Sequence, residues 1–198
     1  MKVLKEDTLE NAVARDAEKV TFKGDIEAAL DRALKVARDN ATLGESDYDN
    51  ILLVGGQGVG KTARATSWAK EKGINLVYVD AKSLDETDLG GALAPDLEHG
   101  KAVKLSTDTL DLLDKPNSVL FLDELNRARP NIRGTLLSLV NDHYIYDAHA
   151  EGGRRSFPNM LFTIAAINPP NMAFPNVDQL DPAELGRYRQ VEVVANKR

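Results

Sequence analysis

Eight consecutive residues, Gly55-Gly56-Gln57-Gly58-Val59-Gly60-Lys61-Thr62, fit the spacing G-x-x-x-x-G-K followed by Ser or Thr in full. Each residue type answers a need of holding a polyphosphate. Glycines let backbone N–H groups turn inward without a Cβ in the way. A helix opening near Gly60 aims the positive end of its dipole at the same anions, and the amide of Ala63 extends the cradle. Lys61 is placed to reach the β- and γ-phosphates, and the Thr62 hydroxyl to ligate Mg²⁺. The blander alternative is a glycine-rich turn ahead of a helix, but the position directly after the apolar run Ile51–Val54 argues against it.

A second constellation follows 61 positions after Thr62, where the apolar run Val119–Leu122 ends in Asp123-Glu124. A carboxylate at a strand's carboxyl end can hold the Mg²⁺ shell. The next residue, Glu124, can polarise an attacking water, a role that a purely binding site does not require. An acidic pair capping an exposed turn is the alternative, and the phosphate loop makes it the weaker one. No Asn-Lys-x-Asp guanine-reading motif occurs. The expectation is therefore ATP rather than GTP, and hydrolysis rather than transfer to a small acceptor.

Such residues need strands and helices in alternation to hold them. Apolar positions from Ile26 to Ala37 recur at helical spacing, so a helix is expected from Asp25 to about Arg38, ended within Asn40–Gly44. Further helices are expected at Gly60–Lys72, near Ser106–Leu113, and from Pro130, a residue suited to a first helical position, to about Asn141. Strands are expected at 51–54, 76–79, 118–122, 161–167 and 190–194. A β-hairpin over His143–Phe157 is expected to turn at Glu151-Gly152-Gly153. Lys82–Lys104 reads as loop-rich, and residues 1–23 as a charged N-terminal arm. The sum is an α/β three-layer sandwich of the P-loop NTPase type with a mostly parallel five-stranded sheet.

Composition sets outer limits. The chain has 198 residues, 42% hydrophobic and 28% charged, a net charge of −6 and no cysteine. Disulfides and thiolate metal sites are excluded. No apolar run is long enough to span a bilayer and none follows the N-terminus as a secretory leader would, so no membrane and a cytoplasmic location are expected. The acidic balance argues weakly against a large nucleic-acid footprint. Arg154-Arg155 is the densest basic candidate, and a solvated loop is the plain reading of it. The histidines His99, His143 and His149 lack metal-ligand spacing and read as surface or turn residues. Asn40-Ala41-Thr42 fits a glycosylation sequon that has no role without secretion.

Asp123-Glu124-Leu125-Asn126-Arg127-Ala128, then a helix, a hairpin and Thr163-Ile164-Ala165-Ala166-Ile167-Asn168-Pro169, resembles the MoxR branch of AAA+ ATPases, with dynein-like and McrB-like ATPases sharing much of the pattern. The likeness covers roughly Ile51 to Val194. It implies that Gly55–Thr62 is the Walker A loop and Asp123-Glu124 the Walker B pair. It implies that Asn168 is sensor 1, an amide orienting water or the γ-phosphate; an Asn-Pro turn is the alternative. The hairpin over 143–157 precedes sensor 1 in this branch. Residues near Gly91–Leu105, with a turn at Asp96–Lys101, match its helix-2 insertion, and both features tend to face the pore or the substrate. Leu180–Tyr188 resembles the segment that carries the arginine finger. Arg187 is then the candidate acting in trans on a neighbouring subunit, Arg189 the fallback, and Arg127 and Arg129 have interface roles. The branch continues into a helical lid with a sensor 2 arginine, for which this sequence shows no counterpart before Arg198.

The implied function is an ATP-hydrolysing ring, a hexamer when complete, that remodels a macromolecular partner of unspecified kind. Two alternatives differ in class: a DNA-acting module such as a helicase loader or restriction-type motor, and a non-catalytic subunit that binds ATP structurally.

Overall fold

The computed structural model describes residues 22–23, 25–44, 48–90, 92–96, 101–105, 108–147, 150–169 and 178–194. In chain order its strands are β1 (Phe22–Lys23), β2 (Ile51–Val54), β3 (Asn75–Asp80), β4 (Ala92–Asp96), β5 (Lys101–Leu105), β6 (Ser118–Asp123), β7 (Tyr144–Tyr146), β8 (Arg154–Ser156), β9 (Met160–Ile167) and β10 (Arg189–Glu192). The helices are α1 (Ile26–Leu43), α2 (Lys61–Lys72), α3 (Glu86–Gly90), α4 (Asp108–Asp111), α5 (Pro130–Asp142) and α6 (Pro182–Leu185).

The five expected strands form an all-parallel sheet, in the order β10-β2-β9-β6-β3, and β1 adds two residues at the β10 edge. Those two residues come from the expected N-terminal arm; residues 1–21 lie outside the described set.

Side chains alternate across each strand, so one sheet builds two cores. Leu52, Val77, Val79, Leu120, Leu122, Ala165 and Ile167 face one side, where Ile132, Leu136, Leu139 and Val140 of α5 cover them. Ile51, Leu53, Val119, Phe121, Ile164 and Ala166 face the other, under α1 and α2. On that second face α1 lays down Ile26, Ala29, Leu30, Ala33, Leu34 and Ala37, all buried.

Helix ends follow the expected chemistry with one shift. Asp25 caps α1, accepting the Ala28 amide at 3.0 Å. The helix runs five residues past the expected Arg38. Thr42 bonds back to the Arg38 carbonyl, and only Gly44, at φ 72°, closes the last turn. The polar run Asn40-Ala41-Thr42 is thus helix rather than terminator.

The stretch read as loop-rich needs a larger correction, since α3 and the antiparallel hairpin β4–β5 occupy part of it. Asp85 accepts the amides of Thr87 and Asp88, while Asp88 Oδ2 accepts the Asp85 amide at 2.8 Å, a reciprocal cap that starts α3. The turn expected at Asp96–Lys101 has residues 97–100 outside the described set. The helix expected near Ser106–Leu113 is α4 followed by a 3₁₀ turn at Leu112–Asp114.

The hairpin β7–β8 forms with its turn at Glu151–Gly153, as expected. His143, which precedes it, does not lie on the surface. It ends α5 at φ 52° and is buried, its ring stacked on Tyr48 at 3.5 Å between centroids. Burial lowers its pKa to about 4, partly offset by its bond to the Met160 backbone. His99 and His149 are outside the described set. Among the described residues no group of His, Asp or Glu is arranged to hold a metal on its own, and no helix is long and apolar enough to cross a membrane.

Candidate functional site

The carboxyl ends of parallel strands open a crevice where loops can converge on a ligand. Here β2, β3, β6 and β9 deliver their ends to one cleft of about 370 Å³. Its walls are residues 57–63, Tyr78, Asp80, Lys82, Asp123, Glu124 and Asn168.

The loop leaving β2 is wedged between its neighbours. The Gly55 amide donates to the Ile167 carbonyl at the end of β9, and the Val193 amide to the Val54 carbonyl. A Cβ on Gly55 would lie 2.5 Å from the Val193 carbonyl oxygen, so no side chain fits there. Gly58 and Gly60 hold φ of 77° and 88°, which a residue with a Cβ adopts only under strain. Gly56 is under no such demand: its Cβ would come no nearer than 4.0 Å to Val59. From Gly60 the chain turns into α2, whose first residues, Lys61, Thr62 and Ala63, line the cleft and whose first amides have no partner within the helix.

Lys61, 8% exposed, donates to the carbonyls of Gly55 (2.5 Å) and Gly56 (3.0 Å) and to Asn168 Oδ1 (3.2 Å). Burial lowers its pKa, while Asp123 and Glu124 pull it back up. The Thr62 hydroxyl donates to Asp123 Oδ2 at 2.9 Å. Asp123 Oδ1 accepts the amide of Glu124 at 3.0 Å. Glu124 itself sits at φ 51°, left-handed backbone that costs a non-glycine residue on the order of 1–3 kcal/mol. Asn168 is buried, and its backbone carbonyl accepts Asn126 Nδ2 at 2.8 Å. Lys61, Thr62, Asp123, Glu124 and Asn168, separated by up to 107 positions in sequence, thus meet in one place.

Three further residues belong to the site. The Tyr78 hydroxyl donates to Asp123 Oδ2 at 3.2 Å; desolvation and the Asp123 charge both raise its pKa. Lys82 Nζ pairs with Glu124 Oε2 at 2.7 Å, which raises the pKa of the ammonium. Asn126 supplies the bond to Asn168. No local sequence signal marks the first two: they reach the site because β3 pairs with β6, in a register that sets Asp80 opposite Asp123.

Arg187 is exposed, is not part of the cleft wall, and makes no side-chain hydrogen bond or ion pair among the described residues. Arg189, the fallback, is spent internally: its Nε binds both oxygens of Asp49, at 2.9 and 3.2 Å. Arg127 Nη1 lies 3.5 Å from Glu124 Oε1, and Arg129 is exposed at the start of α5. Of the basic pair, Arg155 is held by Asp111 (2.6 Å) and Asp114 (2.9 Å), leaving Arg154 exposed over Tyr144.

The donor set suits a magnesium nucleotide. Left-handed glycines, a Cβ-free Gly55, a buried ammonium and a helix start match polyphosphate, and a hydroxyl beside a carboxylate offers the hard oxygens that Mg²⁺ takes.

Residues 50–187 match the AAA domain (dynein-related subfamily), more than half of the chain. Curated relatives include three proteins described as the Holliday junction branch migration complex subunit RuvB. That of Streptococcus agalactiae is 30% identical over 112 residues, covering 57% of this chain and 29% of the relative. That of Bdellovibrio bacteriovorus is 32% identical over 123 residues (62% and 31%), and that of Lactobacillus delbrueckii 27% over 175 residues (86% and 46%). The chain spans less than half the length of each of these relatives.

Proposed function

The chain belongs to the AAA domain family (dynein-related subfamily) of AAA+ ATPases, which bind ATP with Mg²⁺, and from that premise we propose that residues 55–63 bind Mg-ATP, which Glu124 and Asn168 help to hydrolyse. The observation that carries this reading is the convergence of Lys61, Thr62, Asp123, Glu124 and Asn168 on one cleft from three parallel strand ends.

The amides of 55–63 and the Lys61 ammonium would hold the phosphates. Thr62 and Asp123 would hold magnesium, whose chemistry is to neutralise charge on the transferring phosphate. Glu124 would accept a proton from the attacking water, and Asn168, fixed by Asn126, would orient that water or the γ-phosphate. The Glu124→Gln variant tests this: phosphate release should fall by about 10²–10⁴-fold, with nucleotide affinity kept. Unchanged turnover removes Glu124 from the reaction.

Beyond hydrolysis, we read the chain as the MoxR-like nucleotide-binding part of an oligomeric ring, a hexamer, that remodels a macromolecular partner. Three features support it: the hairpin β7–β8 before Asn168, the insertion β4–β5, and an exposed Arg187 that makes no ion pair among the described residues, as suits a residue acting on a neighbouring subunit. A DNA-acting module is the second reading, favoured by the relatives named for Holliday junctions. Its local support is thin, because Asp111 and Asp114 neutralise Arg155. Binding to single-stranded or branched DNA that weakens steeply with salt favours it; no binding at low salt removes it.

A further inference from the structure

Asp123 accepts three hydrogen bonds, and their sources differ in kind. The Glu124 amide goes to Oδ1. The Thr62 hydroxyl goes to Oδ2, as a hydroxyl can while its lone pairs remain available to a cation. The third donor, the Tyr78 hydroxyl at 3.2 Å on the same Oδ2, comes from a different strand and from no motif.

Tyr78 lies on β3, the edge strand of the sheet, opposite Phe121 of β6. Its ring stacks on Phe121 at 5.8 Å between centroids and 16° between planes, yet the residue is 49% exposed. Stacking and edge position account for an aromatic ring there, and phenylalanine would serve them equally. They do not account for the hydroxyl. That group projects past the apolar ring contact to the carboxylate two residues further along β6. A phenol stays protonated at neutral pH and so acts as a donor to a carboxylate there.

We propose that Tyr78 is a positioning residue for the magnesium site: by sharing Asp123 Oδ2 with Thr62 it fixes the carboxylate's orientation and so sets how strongly Mg²⁺ tightens nucleotide binding. The proposal rests on the reading that Thr62 and Asp123 hold the metal. Outer partners of a metal-holding carboxylate act in this way, by removing its freedom to rotate. Thr62 alone leaves Asp123 Oδ2 one side-chain donor; with Tyr78 the oxygen is fixed from one neighbouring strand, β3, and one helix start.

The test is calorimetric titration of the whole chain with ADP and with a non-hydrolysable ATP analogue, each with and without Mg²⁺. It is run for the unaltered chain, Tyr78→Phe and Asp123→Asn. In Tyr78→Phe the ring and its stacking on Phe121 are kept. Its Mg²⁺-free affinity and melting temperature should match the unaltered chain. Its gain in affinity on adding Mg²⁺ should fall about tenfold, the low end for loss of an outer partner, because this donor is half exposed. The half-saturating Mg²⁺ concentration should rise by the same factor. A Tyr78→Phe gain equal to that of the unaltered chain overturns the proposal, as does an equal loss of affinity with and without the metal. If Asp123→Asn abolishes the Mg²⁺ gain while Tyr78→Phe preserves it, only Tyr78's role fails. If Asp123→Asn keeps the full gain, the reading of Asp123 fails and takes the proposal with it.

Discussion

Lys82 Nζ lies 2.7 Å from Glu124 Oε2, while Arg127 approaches the other oxygen of the same carboxylate at 3.5 Å. The side chain proposed as the water-activating base is therefore held by two cations from two different elements. Its backbone sits in left-handed conformation at φ 51°. A base engaged in an ion pair must leave it, or share it, to take a proton.

Replacing Lys82 by Met should consequently raise ATP turnover, and only modestly. The Lys82 side chain is 46% exposed, and pairs of that kind contribute about 0–1 kcal/mol, which corresponds to a gain of no more than about fivefold. Added salt screens the pair, so the difference between variant and unaltered chain should shrink from low to high ionic strength. Steady-state phosphate release at saturating Mg-ATP reads both effects. A loss of turnover in Lys82→Met would mean that the lysine assists Glu124 instead of restraining it.

The phosphate loop gives a sharp contrast between adjacent glycines. Gly55→Ala places a methyl 2.5 Å from the Val193 carbonyl oxygen, where backbone must move. Overpacking of that sort costs about 1–3 kcal/mol, and the displaced strand ends should also weaken nucleotide binding. Gly56→Ala meets nothing nearer than 4.0 Å and should stay within about 0.5 kcal/mol of the unaltered stability. Urea denaturation of the two variants side by side checks the order; equal losses would contradict the wedge between β9 and β10.

Acid should destabilise the fold through His143. Its folded pKa is about 4 against an ordinary 6.5, because burial disfavours the charged ring. Between those values the unfolded chain binds a proton that the folded chain refuses, so stability declines as pH falls through that window. The total is on the order of 3 kcal/mol by pH 4. Above pH 6.5 this group contributes no slope. His143→Phe retains a ring against Tyr48 and should flatten the dependence between pH 6.5 and 4, whatever its effect on absolute stability. A urea midpoint that tracks pH identically in both chains would show that the carboxylates alone govern acid unfolding.

What could be read from the sequence divides along a physical line. Gly55–Thr62 and Asp123-Glu124 stand out in the sequence because the work proposed for them depends on local backbone form and on adjacency within a few positions. The parallel strands were legible because strands buried on both faces leave unbroken apolar runs. Tyr78, Lys82 and Asn126 were not read, since each acquires its role from a neighbour that only the sheet register supplies, as Asp80 opposite Asp123 does for the end of β3. Arg155 looked solvated until Asp111 and Asp114 were placed beside it. His143 looked like a turn residue, which it is, but nothing local revealed the ring of Tyr48 against it. The start of α3 could have been found from Asp85 and Asp88, whose spacing of three is that of a reciprocal cap.

Asn126 offers the cleanest separation of orientation from binding. Its amide nitrogen donates to the Asn168 carbonyl at 2.8 Å, and its own backbone carbonyl accepts the Asp178 amide at 3.0 Å. It touches neither the glycine loop nor Lys61 among the described hydrogen bonds, so nucleotide affinity should survive its loss. Asn126→Ala leaves a buried carbonyl without its donor, a cost of about 1–3 kcal/mol in stability. The freed end of β9 lets the Asn168 side chain wander relative to Lys61 and Glu124. Misplacement of a catalytic group by about 1 Å can cost on the order of 10²-fold in rate, so kcat should fall by about 10- to 100-fold while KM changes little. Single-turnover phosphate release, at temperatures where the variant is fully folded, separates the two contributions. If kcat is unchanged while the denaturation midpoint drops, Asn126 serves only the fold, and the orientation of Asn168 is secured without it.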